Sequence, residues 1–456
     1  MATTTRTATF TENELPVRPS WTHRIGVIVT GSLVAGLLAA AVLVLGLFGG
    51  APENAVGGSA LLGFALGWGL LWPLSTRRTD QAQRWAAVPA AAMALTGVLL
   101  LVWPGVVASA AFGWGWPPAV LVLVGWMSVA SRRQLRSWSR PWLLYPLFAV
   151  VVVSAVAGTY ESYREVADRS AYAMTGQLVD VGGHKLHISC TGTGGPTVVL
   201  EGGFAATSAT WGWIAPAVAQ HTQVCAYDRA GRGWSDSANG PQDGVVIATD
   251  LHTLLDHAGV PGPYVLVGHS FGGLYVLSFA ARYPNQVAGM VLLDSTSPHQ
   301  FSLSAYPATY EAFRRATGLL PALTRLGVAR LAFTSQFANL PALSREEETA
   351  FASTPAMARS QRDEWAEAPT AMEQARALTT LSAHPLFVLT AGKGAQDGWA
   401  SLQDQLAALS TNSVHRVLTD ATHESLTNTQ RFAAKSSEAI LSVVAAVRNA
   451  SPLTHP

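Results

Sequence analysis

The sequence predicts an α/β domain built on a mostly parallel sheet, preceded by an all-α membrane domain of about five helices. Three observations carry this. Five apolar segments fill the first third of the chain. Strand-length apolar runs then alternate with helix-length segments, and a G-x-S-x-G turn stands between one such run and a helix-compatible stretch.

At 456 residues the chain is too long for one ordinary domain, and only 12% of it is charged, which points to membrane spans. Spans are expected at residues 25–47, 56–74, 87–108, 116–130 and 142–158. The fourth is short and starts with Pro117 and Pro118. A soluble bundle would need charged outer faces, which these segments lack.

Loop charges set the orientation. Arg6, Arg18 and Arg24 precede the first span, Arg77, Arg78 and Arg84 lie between the second and third, and Arg132, Arg133, Arg136 and Arg140 lie between the fourth and fifth. The intervening loops hold only Glu53 and, over residues 109–116, no charge. This alternation predicts a multi-pass protein of the cell membrane with residues 1–24 as a cytoplasmic tail and everything after Gly158 outside. Four apolar segments follow the first, so it reads as a retained anchor and not a cleaved signal peptide.

A net charge of +1, without a basic cluster outside the cytoplasmic loops, excludes a nucleic-acid partner. No C-x-x-C or H-E-x-x-H pattern occurs, and His184 and His187, three apart on a predicted strand, face opposite sides. Neither a metal nor another cofactor is expected. Cys190 and Cys225 each end a predicted strand; bridged cysteines and two buried thiols both fit.

A polar connector at 159–175 leads to the outer domain, read at 176–450. Runs 177–181 and 184–190 flank Gly182-Gly183 as a hairpin, and further strands are predicted at 196–200, 223–227, 264–267, 288–293, 386–390 and 414–418. Ile247, Leu251, Leu254, Leu255 and Ala258 make one helix face ahead of Gly259, and Ile440, Leu441, Val444 and Val447 make another near the C-terminus. From about 295 to 383 no strand signal appears and Pro307, Pro321, Pro341 and Pro355 interrupt an Ala/Leu-rich stretch, which reads as an inserted helical cap.

In Gly268-His269-Ser270-Phe271-Gly272-Gly273, small residues permit a sharp strand-to-helix turn that presents Ser270 as a nucleophile. A serine hydroxyl needs a histidine to take its proton and a carboxylate to fix that histidine. His423 follows the last strand closely and is the expected base. For the acid, Asp294 at the end of the 288–293 strand is preferred to Asp397 in a glycine-containing loop, because a strand end holds a side chain more rigidly. The oxyanion donors are expected to be the N–H groups of Phe271 and Phe204, with Gly203 competing for the second place.

From about Gly176 to Val447 the chain resembles the α/β-hydrolases, through Gly268-His269-Ser270-Phe271-Gly272, Asp228-Arg229-Ala230-Gly231-Arg232-Gly233-Trp234-Ser235 and Ala421-Thr422-His423. The resemblance implies an eight-stranded sheet in the order 1-2-4-3-5-6-7-8, a cap after strand six and the chain order Ser, acid, His. It also makes the strands of Cys190 and Cys225 neighbours, which favours a disulfide. Glu201-Gly202-Gly203 stands where many relatives have His-Gly, and Gly394 occupies the usual acid position after strand seven, shifting weight to Asp294. The N-terminal spans have no counterpart in the family's core.

The expected function is a membrane-anchored serine hydrolase, esterase- or lipase-like, that cleaves a small-molecule ester, thioester or amide through an acyl-enzyme. Dehalogenase and epoxide-hydrolase chemistry in this fold uses an aspartate nucleophile, and Ser270 argues against both. Tyr306, Tyr310, Phe313, Leu319, Leu320, Leu331, Phe333 and Phe337 either line an apolar acyl pocket or pack the cap. Two alternatives stand: a prolyl-aminopeptidase-like peptidase with Glu201 binding the substrate amine, and a non-catalytic membrane protein that binds a ligand or partner on a hydrolase scaffold.

Overall fold

A computed structural model describes residues 24–135, 144–238, 240–332 and 336–453. Residues 1–23, Arg136, Arg140 and Phe333 lie outside the described residues. Among the described residues, five helices are long and apolar enough to cross a membrane: α1 (Arg24–Ala41, continued by a π-helical turn Val42–Leu47), α2 (Glu53–Arg78), α3 (Ala87–Val102), α4 (Ala110–Gln134) and α5 (Tyr145–Ala171). Trp68, Leu71, Trp85, Val124, Met127 and Phe148 are among the buried residues that pack them together.

Helix α2 overruns the predicted 56–74 at both ends, α3 stops at Val102, short of 108, and α4 and α5 depart furthest from their predicted bounds. Helix α4 begins at Ala110, six residues before Trp116, and contains Pro117 and Pro118. A proline at 117 leaves the carbonyl of Gly113 without its helical donor, and Ser162 of α5 supplies one at 3.2 Å. Helix α5 continues to Ala171, so most of the connector read at 159–175 is helical. Arg164 pairs with Asp168 one turn on at 2.8 Å, and Arg330 binds Glu161 and Asp168 from outside the helix.

The sheet comprises β1 (Gln177–Asp180), β2 (Lys185–Thr191), β3 (Thr197–Glu201), β4 (Val224–Asp228), β5 (Tyr264–His269), β6 (Val287–Leu293), β7 (Leu386–Ala391) and β8 (Ser413–Leu418). Their order is β1-β2-β4-β3-β5-β6-β7-β8. The first two strands are antiparallel to their neighbours and the rest are parallel. Cys190 and Cys225 are register partners across β2 and β4 and form a disulfide. His184 lies in the turn before β2 and not on the strand; His187, within β2, is buried against Asp228 at 2.8 Å.

Alternation along the strands divides the interior into two layers. Val199, Leu266, Met290, Leu292, Leu386 and Val388 face one way; Leu200, Val265, Val267, Val291, Leu293, Phe387 and Leu389 face the other. Helices α6 (Ile214–Ala219) and α17 (Gln430–Asn449) cover the second face, while α7 (Gly244–His257), α8 (Gly272–Arg282) and α15 (Trp399–Ala407) cover the first. Both faces of the central strands are therefore dry, which explains their unbroken apolar runs. The cap between β6 and β7 is helical: α9 (Tyr306–Thr317), α10 (Leu320–Arg325), α11 (Val328–Ala332), α12 (Ala342–Ala352), α13 (Pro355–Ala366) and α14 (Ala368–Ala375). A single turn, α16 (Ser425–Asn428), links β8 to α17.

Candidate active site

Every predicted site residue lies just beyond the carboxyl end of a strand, Phe271 immediately ahead of α8. Ser270 joins β5 to α8 with φ of +53°, a left-handed conformation that side chains adopt at a cost. Its neighbours hold it there: its N–H donates to the Leu293 carbonyl at 3.2 Å, and its carbonyl accepts from Thr296 N–H at 2.9 Å. Position 272 admits only glycine, since a Cβ would stand 2.3 Å from the carbonyl oxygen of Glu201. The helix is thereby pressed against the end of β3.

Asp294 follows β6, also at positive φ (+43°). One carboxylate oxygen accepts from His423 Nδ1 at 2.6 Å, and the other accepts from Trp399 Nε1 at 2.8 Å and Ala391 N–H at 3.1 Å. Burial alone would raise its pKa, but the His423 hydrogen bond and charge, then the Trp399 and Ala391 donors, hold it below the ordinary value. With Nδ1–H committed to Asp294, His423 keeps Nε2 as its basic nitrogen. Ser270 and His423 line one cavity. Asp397 is exposed in the loop before α15, away from this bond.

His269, the last residue of β5, was not singled out by any sequence signal except its place beside the nucleophile. Its Nε2–H donates to the backbone carbonyl of His423 at 3.1 Å, and the two rings lie 4.7 Å apart. Burial, reinforced by the neighbouring His423 charge, presses its pKa down to about 3. It is a neutral strut for the loop carrying His423.

Backbone direction at the oxyanion loop follows from two arginines. Arg229 donates to the carbonyls of Gly202 at 2.6 Å and Gly203 at 2.7 Å, and Arg232 reaches Gly203 at 3.1 Å. In a trans peptide the C=O and N–H point opposite ways, so the N–H groups of Gly203 and Phe204 face away from the guanidinium groups. Position 203 abuts the serine, because a Cβ there would stand 2.9 Å from Ser270 Cβ. Among the described residues, no protein acceptor meets the N–H groups of Gly203, Phe204 or Phe271.

Those arginines belong to a buried polar network. Glu201 binds Tyr227 and Arg229; Glu364 of α13 accepts from Arg229 at 2.8 Å and Tyr275 at 2.8 Å, and pairs with Arg232. Two carboxylates thus balance two guanidinium groups, which makes their burial tolerable. Glu201 is consequently occupied, contrary to its expected use by the peptidase alternative as a free carboxylate for a substrate amine. The Asp228–Ser235 motif pointed to the arginines, whereas nothing in the sequence marked Glu364.

The cavity measures about 550 Å³. Phe204, Phe271, Phe313, Leu320, Phe337, Leu340 and Trp365 give it apolar walls, and Glu424 and Gln361 are among its polar edges. Of the cap residues considered for a pocket, Phe313, Leu320 and Phe337 line it. Tyr306 and Tyr310 instead pack against Phe301, with centroids 5.0 and 5.2 Å from it, and Leu319 is not on the wall. The side chain of Leu331 lies outside the described residues.

Comparison with known proteins agrees with the fold. Residues 196–427 match the alpha/beta hydrolase fold. An uncharacterized protein of Schizosaccharomyces pombe is 42% identical over 84 residues, covering 18% of this chain and 16% of that protein. The 2-hydroxy-6-oxo-2,4-heptadienoate hydrolase of Pseudomonas putida is 32% identical over 126 residues, covering 27% and 45%. The chain therefore spans less than half the length of each of these curated relatives. Among solved structures, the Cif epoxide hydrolase from Acinetobacter nosocomialis superposes with a TM-score of 0.52 at 18% identity, over 62% of this chain and 96% of that one.

Proposed function

The chain belongs to the alpha/beta hydrolase family, and from that premise we propose that it is a membrane-anchored serine hydrolase cleaving esters, with thioesters and amides as chemical relatives. The observation that carries this reading is the 2.6 Å bond between His423 and Asp294, made beside a cavity that His423 shares with Ser270. An aspartate would stand at position 270 for epoxide opening in this fold; a serine needs a general base, and His423 supplies one.

The reaction runs in two halves. Ser270 Oγ bonds to the substrate carbonyl carbon as its proton passes to His423 Nε2, and Asp294 steadies the resulting imidazolium. The N–H of Phe271, with that of Phe204 or Gly203, receives the negative oxygen. Collapse breaks the bond to the leaving alkoxide, which takes the proton from His423. Water then attacks the acyl-serine, giving its proton to His423, and the acid leaves as Ser270 regains that proton. Removing one oxyanion donor in comparable sites costs about 3 kcal/mol of barrier.

Anchoring and orientation are part of the same proposal: tail 1–24 in the cytoplasm, spans within 25–158, and a catalytic domain over 176–450 outside the cell membrane. Arg77 and Arg78 lie at one end of α2 and Arg132 and Arg133 at the matching end of α4, whereas Glu53, at the other end of α2, meets cap residues Arg325 and Arg359. The apolar walls favour an apolar acyl group. The test is turnover of a p-nitrophenyl ester series by the purified chain. Loss of turnover by at least a thousandfold in Ser270→Ala is expected, and a variant within tenfold of wild type ends the reading.

A further inference from the structure

We propose that the active-site cavity takes its substrate, an ester-linked amphiphile, directly from the outer leaflet of the membrane through a mouth at Phe313. The proposal rests on the serine-hydrolase reading and specifies where its substrate resides.

Helix α9 is a wall shared by the cavity and the membrane bundle. Phe313 and Ala316 line the cavity and are exposed, Phe313 by 40%, so they mark one edge of its mouth, with the exposed Gln336 and Glu424 at other edges. The neighbouring residues of the same helix rest on the turn between α1 and α2. A Cβ on Gly318 would stand 2.7 Å from Gly50 Cα, and one on Gly50 would stand 2.9 Å from the Arg314 carbonyl. A helix is about 10 Å across, so the mouth stands roughly one helix width from the outer end of the bundle.

Ion pairs fix the cap at that height. Arg325 of α10 binds Glu53 at 2.7 Å and the Val107 carbonyl at 2.7 Å; Arg359 of α13 reaches the same Glu53 at 3.1 Å. Arg330 of α11 binds Glu161 at 2.6 Å and Asp168 at 2.7 Å on α5. Glu53 is the first residue of α2, where the span begins. These contacts hold α9–α11 against the ends of the spans opposite the arginine-rich ones.

Among the described residues, those exposed on α10 and α11 are apolar, whereas α9 exposes Thr309 and Arg315 beside Ala312, Phe313 and Ala316. Leu323 on α10 and Val328 on α11 are 42% and 45% exposed, and with Phe313 they extend the apolar surface of the spans upward to the mouth. A surface continuous with membrane-crossing helices is one that lipid tails cover. A bilayer-resident ester can therefore slide its acyl chain along the surface to Phe313 without exposing its methylenes to water.

The experiment places the full chain in vesicles and supplies two probes: water-soluble p-nitrophenyl butyrate and a fluorogenic diacylglycerol. The diacylglycerol is presented in the enzyme's own bilayer or in separate vesicles. The expected result is cleavage at least tenfold faster from the enzyme's own bilayer. Leu323→Glu with Val328→Glu is expected to lower that rate at least tenfold and leave butyrate turnover within twofold. Equal rates from the two vesicle populations, or an equal loss on both probes in the double variant, overturn the proposal. A wild-type chain that cleaves neither probe removes the serine-hydrolase reading as well, so the two failures are distinguishable.

Discussion

Arg229 donates to Glu364 at 2.8 Å, and through this bond the loop after β4 grips the cap helix α13. The same guanidinium holds the carbonyls of Gly202 and Gly203, so the cap helps to set the direction of the amides beside Ser270. The cap is in this sense part of the proposed catalytic apparatus as well as its roof, since Trp365, the residue after Glu364, lines the cavity.

Breaking this pair is therefore expected to damage rate more than binding. Glu364→Gln keeps shape and loses charge, and kcat should fall about ten- to a hundredfold with KM changed less than threefold. Truncation to alanine leaves buried Arg232 without a carboxylate partner and Arg229 with Glu201 alone, and should cost about 3–5 kcal/mol of stability. Steady-state kinetics and thermal unfolding of the two variants separate these effects; a KM increase with kcat intact would assign the pair to substrate binding.

In Asp294→Asn, Trp399 and Ala391 hold the amide oxygen and the NH2 group faces His423 Nδ1, which fixes the ring in the wrong tautomer, and kcat on an activated ester should fall by about 10³ to 10⁴. Asp397→Asn, altering an exposed loop residue, should leave kcat within twofold. The opposite pattern would move the acid to the loop after β7.

Trp399→Phe deletes one donor to Asp294 and so raises the carboxyl pKa from its lowered position. A lowered carboxyl pKa contributes stability above the unfolded value and loses it as pH falls through the folded one. The low-pH limb of kcat/KM should consequently move to higher pH in the variant. An unmoved limb would show that the indole does not steady the carboxylate.

His269 works in the other direction from a paired histidine. Folded, it stays neutral down to about pH 3; unfolded, it takes a proton near 6.5. The unfolded chain binds the extra proton between these values, so stability is full above about 6.5 and falls as pH drops. At pH 5 the contribution lost is about 2 kcal/mol. Denaturant unfolding at pH 7.5 and pH 5 should show a smaller difference in His269→Gln than in wild type; equal differences would contradict the buried neutral ring.

What was legible in the sequence depended on local signals. The strands around Val265–Val267 and Val291–Leu293 announced themselves because both faces are covered, and the elbow did so because its tight turn requires Gly268, Gly272 and Gly273. Asp294 and His423 were placed by their strand ends, 129 residues apart, with only the resemblance to supply the sheet order. Glu364 was invisible: its partner Arg229 is 135 residues away, and a Glu on a cap helix looks like any solvated residue. The course of α5 past Gly158 was hidden likewise, because Glu161 and Asp168 read as polar connector until Arg330 is placed beside them.

Fluorophosphonate labelling followed by intact-mass and peptide mass spectrometry tests the central claim most directly. One adduct on Ser270 in the wild-type chain, absent from Ser270→Ala and strongly slowed in Asp294→Asn, is the predicted result. No adduct on the folded wild-type chain, or equal labelling of Ser270→Ala, would contradict it.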